Sequence, residues 1–291
     1  MKTLTTSEAA ALLNVSPNTL RSWERRFGYP KPLRSPGRHR LYTHGEIIGL
    51  RDALQEGLSI SSAVSAAREA LGADAYAILK ALYAFNGDEA DTAMERSLAL
   101  RTVERSVEEM LLPSLDVIRR RKGAHSAHWA FALDWSAEWL MRARRLATIS
   151  DRRGAVLVGD ASSPVLDPAR PSILALELCC VRSGFDVMSL PVQAHDRLAE
   201  AIEVIVPDAI VIAGSDATDQ DVARWAYRVR CFAGGSPFVL YLRGLDTGVT
   251  NPRARLLPTS PLAAYAELIK LLKARPPIRT YKDSRRSLNA T

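Results

Sequence analysis

Residues 19–42, TLRSWERRFGYPKPLRSPGRHRLY, set a cationic helical segment beside a basic loop shaped by proline and glycine. Arg21, Arg25 and Arg26 recur on the helical part. Lys31, Arg34, Arg38, His39 and Arg40 follow within one loop, and only Glu24 opposes them inside the stretch. A cluster of this kind neutralises phosphates, which dominate nucleic-acid affinity and make it salt-dependent. A charge run is also readable as a solvated face, so the flanking residues have to decide between the two.

Upstream, Thr5 with Glu8 has the form of a capping box opening a helix through Ala9, Ala10, Leu12 and Leu13, which Asn14-Val15 closes. Ser16-Pro17 then supplies an N-cap followed by proline at the first helical position, where its missing N–H costs nothing. Two short helices joined by a tight turn are the helix-turn-helix plan, in which the second helix enters the major groove. Leu20, Trp23 and Phe27 fall at core spacing, which leaves Asn18, Thr19, Arg21, Ser22 and Arg25 outward. Downstream, Gly28, Pro30, Pro32, Pro36 and Gly37 break the period, and residues 38–42 alternate as the return strand of a wing. Thr43 caps a helix carrying Ile47, Ile48, Leu50 and Leu54, and another helix is expected over Ile60 to Ala70.

Residues 1–72 resemble the winged-helix DNA-binding domain of the MerR family. The matching signatures are Arg21-x-Trp23-Glu24-Arg25-Arg26-x-Gly28 and Pro36-Gly37-x-His39-Arg40-x-Tyr42. The resemblance implies that Arg21 and Arg25 approach bases or backbone, while Arg38, His39, Arg40 and Tyr42 hold phosphates. It also implies a dimer or higher homo-oligomer on inverted-repeat promoter DNA. Arg26 and Arg34 complete the expected contact set.

The remaining chain reads as two further units. Residues 73–150 are nearly free of proline and carry apolar stripes (Leu79, Leu82, Tyr83; Ala93, Met94, Leu98; Val107, Met110, Leu111, Leu115), which suits a four-helix bundle. Over 151–275, short apolar runs at 155–158, 186–190, 209–213, 238–242 and 254–257 alternate with helical segments at 172–182, 196–206, 219–232 and 261–274. That alternation predicts a parallel, doubly wound sheet of flavodoxin-like, Rossmann type. Residues 276–291 read as a basic flexible tail. The expected fold class is therefore multidomain, α and α/β: winged helix-turn-helix, bundle, parallel sheet.

This order is similar to the CarH/LitR type of MerR regulator, whose last two units bind adenosylcobalamin and sense light. Leu111-Leu112-Pro113 and residues 140–144 fit that pattern, but the cofactor residues depart from it. By the resemblance, a Glu-His pair belongs in the bundle where Asp134-Trp135 stand. A D-x-H-x-x-G motif belongs after the first strand, where Asp167 persists but Ala169 takes the histidine position and Ser172 the glycine position. The later Ser-x-Leu and Gly-Gly features are replaced around Ala213-Gly214-Ser215 and Tyr241-Leu242-Arg243-Gly244. The expectation is a degenerate pocket without cobalamin. Trp135, with Trp129 and Trp139, either fills the space of a corrin or simply packs the bundle.

Other ligand signals are thin. Cys179-Cys180 read as buried small hydrophobes, and His195 beside Asp196 as an exposed polar pair. His125 and His128 have a spacing that could hold a metal or haem, but no third ligand accompanies them, so no metal site is assigned. There is no G-x-G-x-x-G after a strand, no G-x-x-x-x-G-K-[ST] and no G-x-S-x-G, so no catalytic role is expected. A net charge of +7 suits a polyanionic partner. No apolar run approaches a bilayer span, and three cysteines do not make a disulfide framework, so a cytoplasmic, nucleoid-associated protein is expected. The reading is a sequence-specific DNA-binding regulator, not an enzyme, whose C-terminal units mediate oligomerisation, meet a protein antagonist or sense a small molecule. The alternatives are an adenosylcobalamin-dependent light-sensing repressor with atypical ligation, or a haem-type sensor on the same fold.

Overall fold

The computed structural model describes residues 3–34, 39–147, 153–162, 166–191, 195–214, 219–232, 236–242 and 255–273. The chain divides into two compact units, Met1–Ala143 and Arg144–Thr291.

In the first unit, β1 (Thr3–Thr5) leads into α1 (Thr6–Leu12), whose capping box forms as the sequence predicts. The Thr5 hydroxyl accepts from the Glu8 amide at 3.3 Å, and the Thr5 amide donates to Glu8 Oε2 at 2.7 Å. Asn14 takes the left-handed conformation (φ 54°) at the turn. Ser16 caps α2 (Pro17–Phe27) by accepting from the Thr19 amide at 3.0 Å, and Gly28 at φ 62° ends it. β2 (Leu33–Arg34) and β3 (Arg40–Thr43) form the wing, and β1 adds a third strand beside β3, giving the order β1-β3-β2. Periodicity gives no sign of β1, because three residues carry too little pattern. Leu4, Leu13, Leu20, Tyr42, Ile47 and Leu50 share one core, with Trp23 and Phe27 packed partly against it.

Thr43 caps α3 (His44–Gln55) and Ser59 caps α4 (Ile60–Tyr83). The helix expected over Ile60 to Ala70 thus runs on to Tyr83, and the expected junction at 72/73 lies within it. An interior Gly72 costs a helix only about 1 kcal/mol, and buried Ile78 and Leu82 continue the face begun by Ala63 and Val64. α5 (Gly87–Leu100) follows an Asn86 cap, then α6 (Val103–Ser106), a π-helical turn (Val107–Leu111), α7 (Leu112–Lys122) and α8 (Ala127–Arg145). The π-turn ends one residue short of Pro113, whose missing N–H interrupts the regular ladder there. α4, α5, the α6–α7 arm and α8 form the expected bundle.

The second unit is the expected parallel sheet, with strands β4 (Gly154–Asp160), β5 (Phe185–Pro191), β6 (Ala209–Ala213), β7 (Phe238–Tyr241) and β8 (Arg255–Leu256) in the order β5-β4-β6-β7-β8. Among the described residues, α9 (Arg170–Arg182), α10 (His195–Ile205) and α11 (Asp219–Phe232) connect successive strands, and α12 (Pro261–Lys273) follows β8. The period of two sorts the strand residues between two cores. Val156, Val158, Val211, Ala213, Val239 and Tyr241 meet Ile173, Leu176, Cys180, Ala264 and Leu268 of α9 and α12. Leu157, Ile210, Ile212 and Leu240 meet Ile202, Val222 and Trp225 of α10 and α11. The sheet is therefore covered on both faces, and the strand order reverses between β4 and β6, where ligands of such sheets bind. Gly214 at φ 121° ends β6 there, and a Cβ on it would lie 2.4 Å from the Ala161 carbonyl carbon.

Candidate nucleic-acid interface

Along α2, Asn18, Arg21, Ser22, Arg25 and Arg26 are exposed, while Leu20 is fully buried. Helical spacing thus separates a cationic outer face from an apolar inner one. Asn18 Oδ1 accepts from Arg21 Nη1 at 3.2 Å, one turn on, and this orients the guanidinium along the outer face. Arg26 lies over the Phe27 ring at 5.2 Å. Thr19 departs from the expectation of an outward contact: it is half-buried, and its hydroxyl sits 2.8 Å from that of Ser16 inside the cap.

The wing brings a second cationic element. Arg34 faces Arg40 across the β2–β3 pair, and like charges directly opposite destabilise a ladder unless something answers them. Glu24 of α2 answers one, accepting from Arg40 Nε at 2.9 Å. The Tyr42 hydroxyl also donates to Glu24 Oε2, at 3.3 Å. The Tyr42 side chain, expected to hold phosphate, is instead 0% exposed, and burial followed by the Glu24 charge raises its hydroxyl above the ordinary phenol range. Arg40 is likewise half-buried and tied inward. Both residues brace the wing against the recognition helix. Arg34 and His39 are exposed on the wing, and Arg38 lies outside the described residues together with Ser35, Pro36 and Gly37.

Behind this surface is a node in which Arg105 and Glu109 stand at i,i+4 but Glu46 is distant in sequence. Arg105 is buried at the end of α6 and donates from Nη1 to Glu46 of α3 at 2.7 Å, and from Nη2 to Glu109 of the π-turn at 3.1 and 3.2 Å. Burial alone would lower the Arg105 pKa, but the Glu46 and Glu109 carboxylates hold it above the usual range. Lys31, counted in the sequence as one of the loop cations, pairs with Glu109 at 3.2 Å. The Thr43 hydroxyl lies 2.8 Å from Glu46 Oε2 and 3.2 Å from the Leu100 carbonyl. These contacts join the winged module to the bundle inside the first unit.

The residues at the expected cofactor positions fall in separate units. In the bundle Asp134 is exposed, whereas Trp135 is 7% exposed, its ring packs against Gly87 and its Nε1 has no hydrogen-bond partner. Trp129 and Trp139 are also buried. In the sheet, Asp167 is buried and its Oδ1 accepts from the Ala169 amide at 2.7 Å, a loop-closing bond just before α9. Ala169 packs partly against the sheet core, and Ser172 is half-buried. A methyl group offers cobalt no lone pair, so these residues do not fit a cobalamin held through a protein imidazole. Ser215, Arg243, Gly244 and residues 276–291 lie outside the described residues, as does the side chain of His195.

Cys179 and Cys180 are buried and Cys231 is exposed; burial, then the nearby Glu177 charge, pushes the Cys180 thiol up to about 12. Glu177, itself buried, accepts from Arg144 at 2.5 Å. His125 is exposed, and His128 packs at 4.6 Å from the Phe85 ring and 5.8 Å from that of Tyr83. Among the described residues no group of three His, Cys, Asp or Glu side chains could hold a metal ion. No helix of the described residues is long and apolar enough to cross a membrane.

Residues 5–42 match the family described as MerR family regulatory protein. Among curated proteins, the chain is 32% identical over 143 residues to the HTH-type transcriptional repressor CarA of Myxococcus xanthus, covering 45% of this chain and 50% of that protein. It is 42% identical over 52 residues to the HTH-type transcriptional regulator MlrA of Escherichia coli, covering 18% of this chain and 21% of that protein. The chain thus spans half the length of CarA and about a fifth of MlrA. Among solved structures it is similar to the methanol:cobalamin methyltransferase complex MtaBC of Methanosarcina barkeri, with TM-score 0.36 and 14% identity over 70% of this chain and 81% of that one. It is also similar to a cobalamin-binding protein of Desulfitobacterium hafniense, with TM-score 0.38 and 11% identity over 69% of this chain and 98% of that one.

Proposed function

We propose that this chain, which carries a MerR-type helix-turn-helix at its N-terminus, is a sequence-specific transcriptional regulator that binds double-stranded promoter DNA as a homo-oligomer. The observation that supports this most is the exposed row of Arg21, Arg25 and Arg26 on α2, braced against a cationic wing through Glu24 and Arg40. Recognition helix and wing are thus held in one geometry before DNA arrives, which lowers the ordering cost of binding. The half-match to a repressor and the shorter match to a second regulator agree with this reading.

Selection of bound fragments from the protein's own genomic DNA tests it. Recovery of a shared inverted repeat, bound at least about 10³-fold more tightly than a scrambled duplex at physiological salt, is the expected result. Binding that ignores sequence and vanishes with salt would count against specific recognition.

The α/β unit is proposed to act without cobalamin held by a protein imidazole, on the strength of Ala169. After incubation with adenosylcobalamin in the dark and desalting, the visible spectrum should show less than stoichiometric corrin. Full retention would overturn this part and favour the light-sensing alternative with atypical ligation.

A further inference from the structure

Inside the first unit the winged module is tied to the bundle at three places. α4 runs unbroken from the winged core, at Ala63 and Val64, to buried Ile78 and Leu82 in the bundle. Arg105 of α6 reaches back to Glu46 of α3, with both side chains 5% exposed, and also donates to the Lys31 carbonyl at 3.4 Å, in the loop that leads into the wing. The start of α3 then meets the end of α5 backbone to backbone. A Cβ on Gly45 would lie 2.8 Å from Leu100 Cα and 2.9 Å from the Ala99 and Leu100 carbonyl oxygens. Gly45 is not among the glycines at positive φ, so close approach is what requires a glycine there.

Attachment alone needs only the continuous helix. A buried ion pair adds little net stability over an apolar pair of similar volume, and its best-attested use is to fix register. The charge at Arg105 and the missing side chain at Gly45 both act on geometry: they hold the α2 surface in one pose on the bundle. Of the large apolar side chains exposed among the described residues, Leu58 belongs to the winged module, while Tyr76, Phe85, Val204 and Tyr227 are among those beyond it. Apolar surface for association between copies thus lies mainly outside the module, and the joint stands between that surface and the recognition helix.

We propose, on the footing that the chain binds an inverted repeat as a homo-oligomer, that Arg105, Glu46 and Gly45 are positioning residues that select the spacing of the two half-sites. One added base pair moves a half-site by about 3.4 Å and turns it by about 35°. A stiff joint cannot follow that displacement, and a loosened one can.

Electrophoretic titration of the full chain tests this, using the selected operator, the same operator respaced by one base pair in either direction, and a duplex carrying one half-site. The wild-type protein should lose at least about tenfold in affinity on either respacing, the scale of the DNA deformation then needed. Arg105→Met/Glu46→Gln should lose less than about threefold on the same respacing, with half-site affinity unchanged. Gly45→Ala must push α3 off Leu100, so it should move the optimum or flatten the profile, and it serves should the double variant fail to fold. A merely structural role would lower every affinity together and leave the shape of the spacing profile alone, which would overturn the proposal. A wild-type profile already flat would overturn it too. Absence of specific half-site binding by the wild-type protein would instead remove the DNA reading, and the proposal with it.

Discussion

Arg105→Ala is expected to destabilise the first unit by about 3–5 kcal/mol, the cost of breaking a buried ion pair by removing one partner. Arg105 and Glu46 side chains are each 5% exposed, so water does not screen what is left behind. Alanine would strand the Glu46 carboxylate with only the Thr43 hydroxyl and its capping contact, and would leave Glu109 with only the surface Lys31. Urea unfolding followed by tryptophan fluorescence reads mainly this unit, because Trp23, Trp129, Trp135 and Trp139 belong to it and only Trp225 lies in the other. The double variant Arg105→Met/Glu46→Gln separates charge from packing. It removes both charges at similar volume and should recover most of the loss, since a buried pair replaced as a pair is often close to neutral. A loss below about 1 kcal/mol for Arg105→Ala would mean that the node is not a buried ion pair in solution.

The same node shows where sequence reasoning stops. Arg105 and Glu46 are 59 positions apart, and neither helix carries a local mark of the other. Features set by neighbours in the chain were legible. Thr5-x-x-Glu8, Ser16-Pro17 and Gly28 fix the ends of α1 and α2 through backbone groups within a few residues, and they occur as read. The strands of the sheet were legible for a related reason, because a strand covered on both faces is an apolar run bounded by turns. Tyr42 lay at the edge of legibility. Alternation along β3 puts Arg40 and Tyr42 on one face, but only the packed fold shows that Glu24 closes that face and turns both inward.

The cofactor question depends on the same distinction between local and distant information. Asp167 keeps a motif position, yet its carboxylate has a local structural task in closing the turn before α9. Persistence of the aspartate is therefore explained without a cofactor, whereas Ala169 removes the atom a cobalt ligand needs. Trp135 is buried in the bundle with its indole N–H unanswered. An unanswered buried donor costs about 1–3 kcal/mol, and a bundle under no other constraint would gain by having an apolar residue there. That unanswered donor sets Trp135 apart from Trp129 and Trp139, and ordinary packing does not explain it.

Arg21→Ala combined with Arg25→Ala is expected to lower affinity for the selected operator by about 10²- to 10⁴-fold, because each guanidinium that reads a base edge contributes about 1–3 kcal/mol. Both side chains are exposed on α2, so thermal unfolding should be nearly unchanged and the loss belongs to recognition. The salt dependence identifies what each arginine touches: every phosphate contact removed reduces the slope of log K against log salt by about 0.9. A slope lowered by about two with specificity intact would place both on the backbone, and an unchanged slope with relaxed specificity would place both on bases. Arg40→Ala is a poorer probe, since it also frees Glu24 and loosens the wing, so stability and affinity should fall together. Arg121 on α7 is exposed too, and Arg121→Ala serves as the control for diffuse positive charge. Equal losses from Arg121→Ala and from the α2 pair, or an α2 pair within twofold of wild type at moderate salt, would move the DNA surface away from the recognition helix.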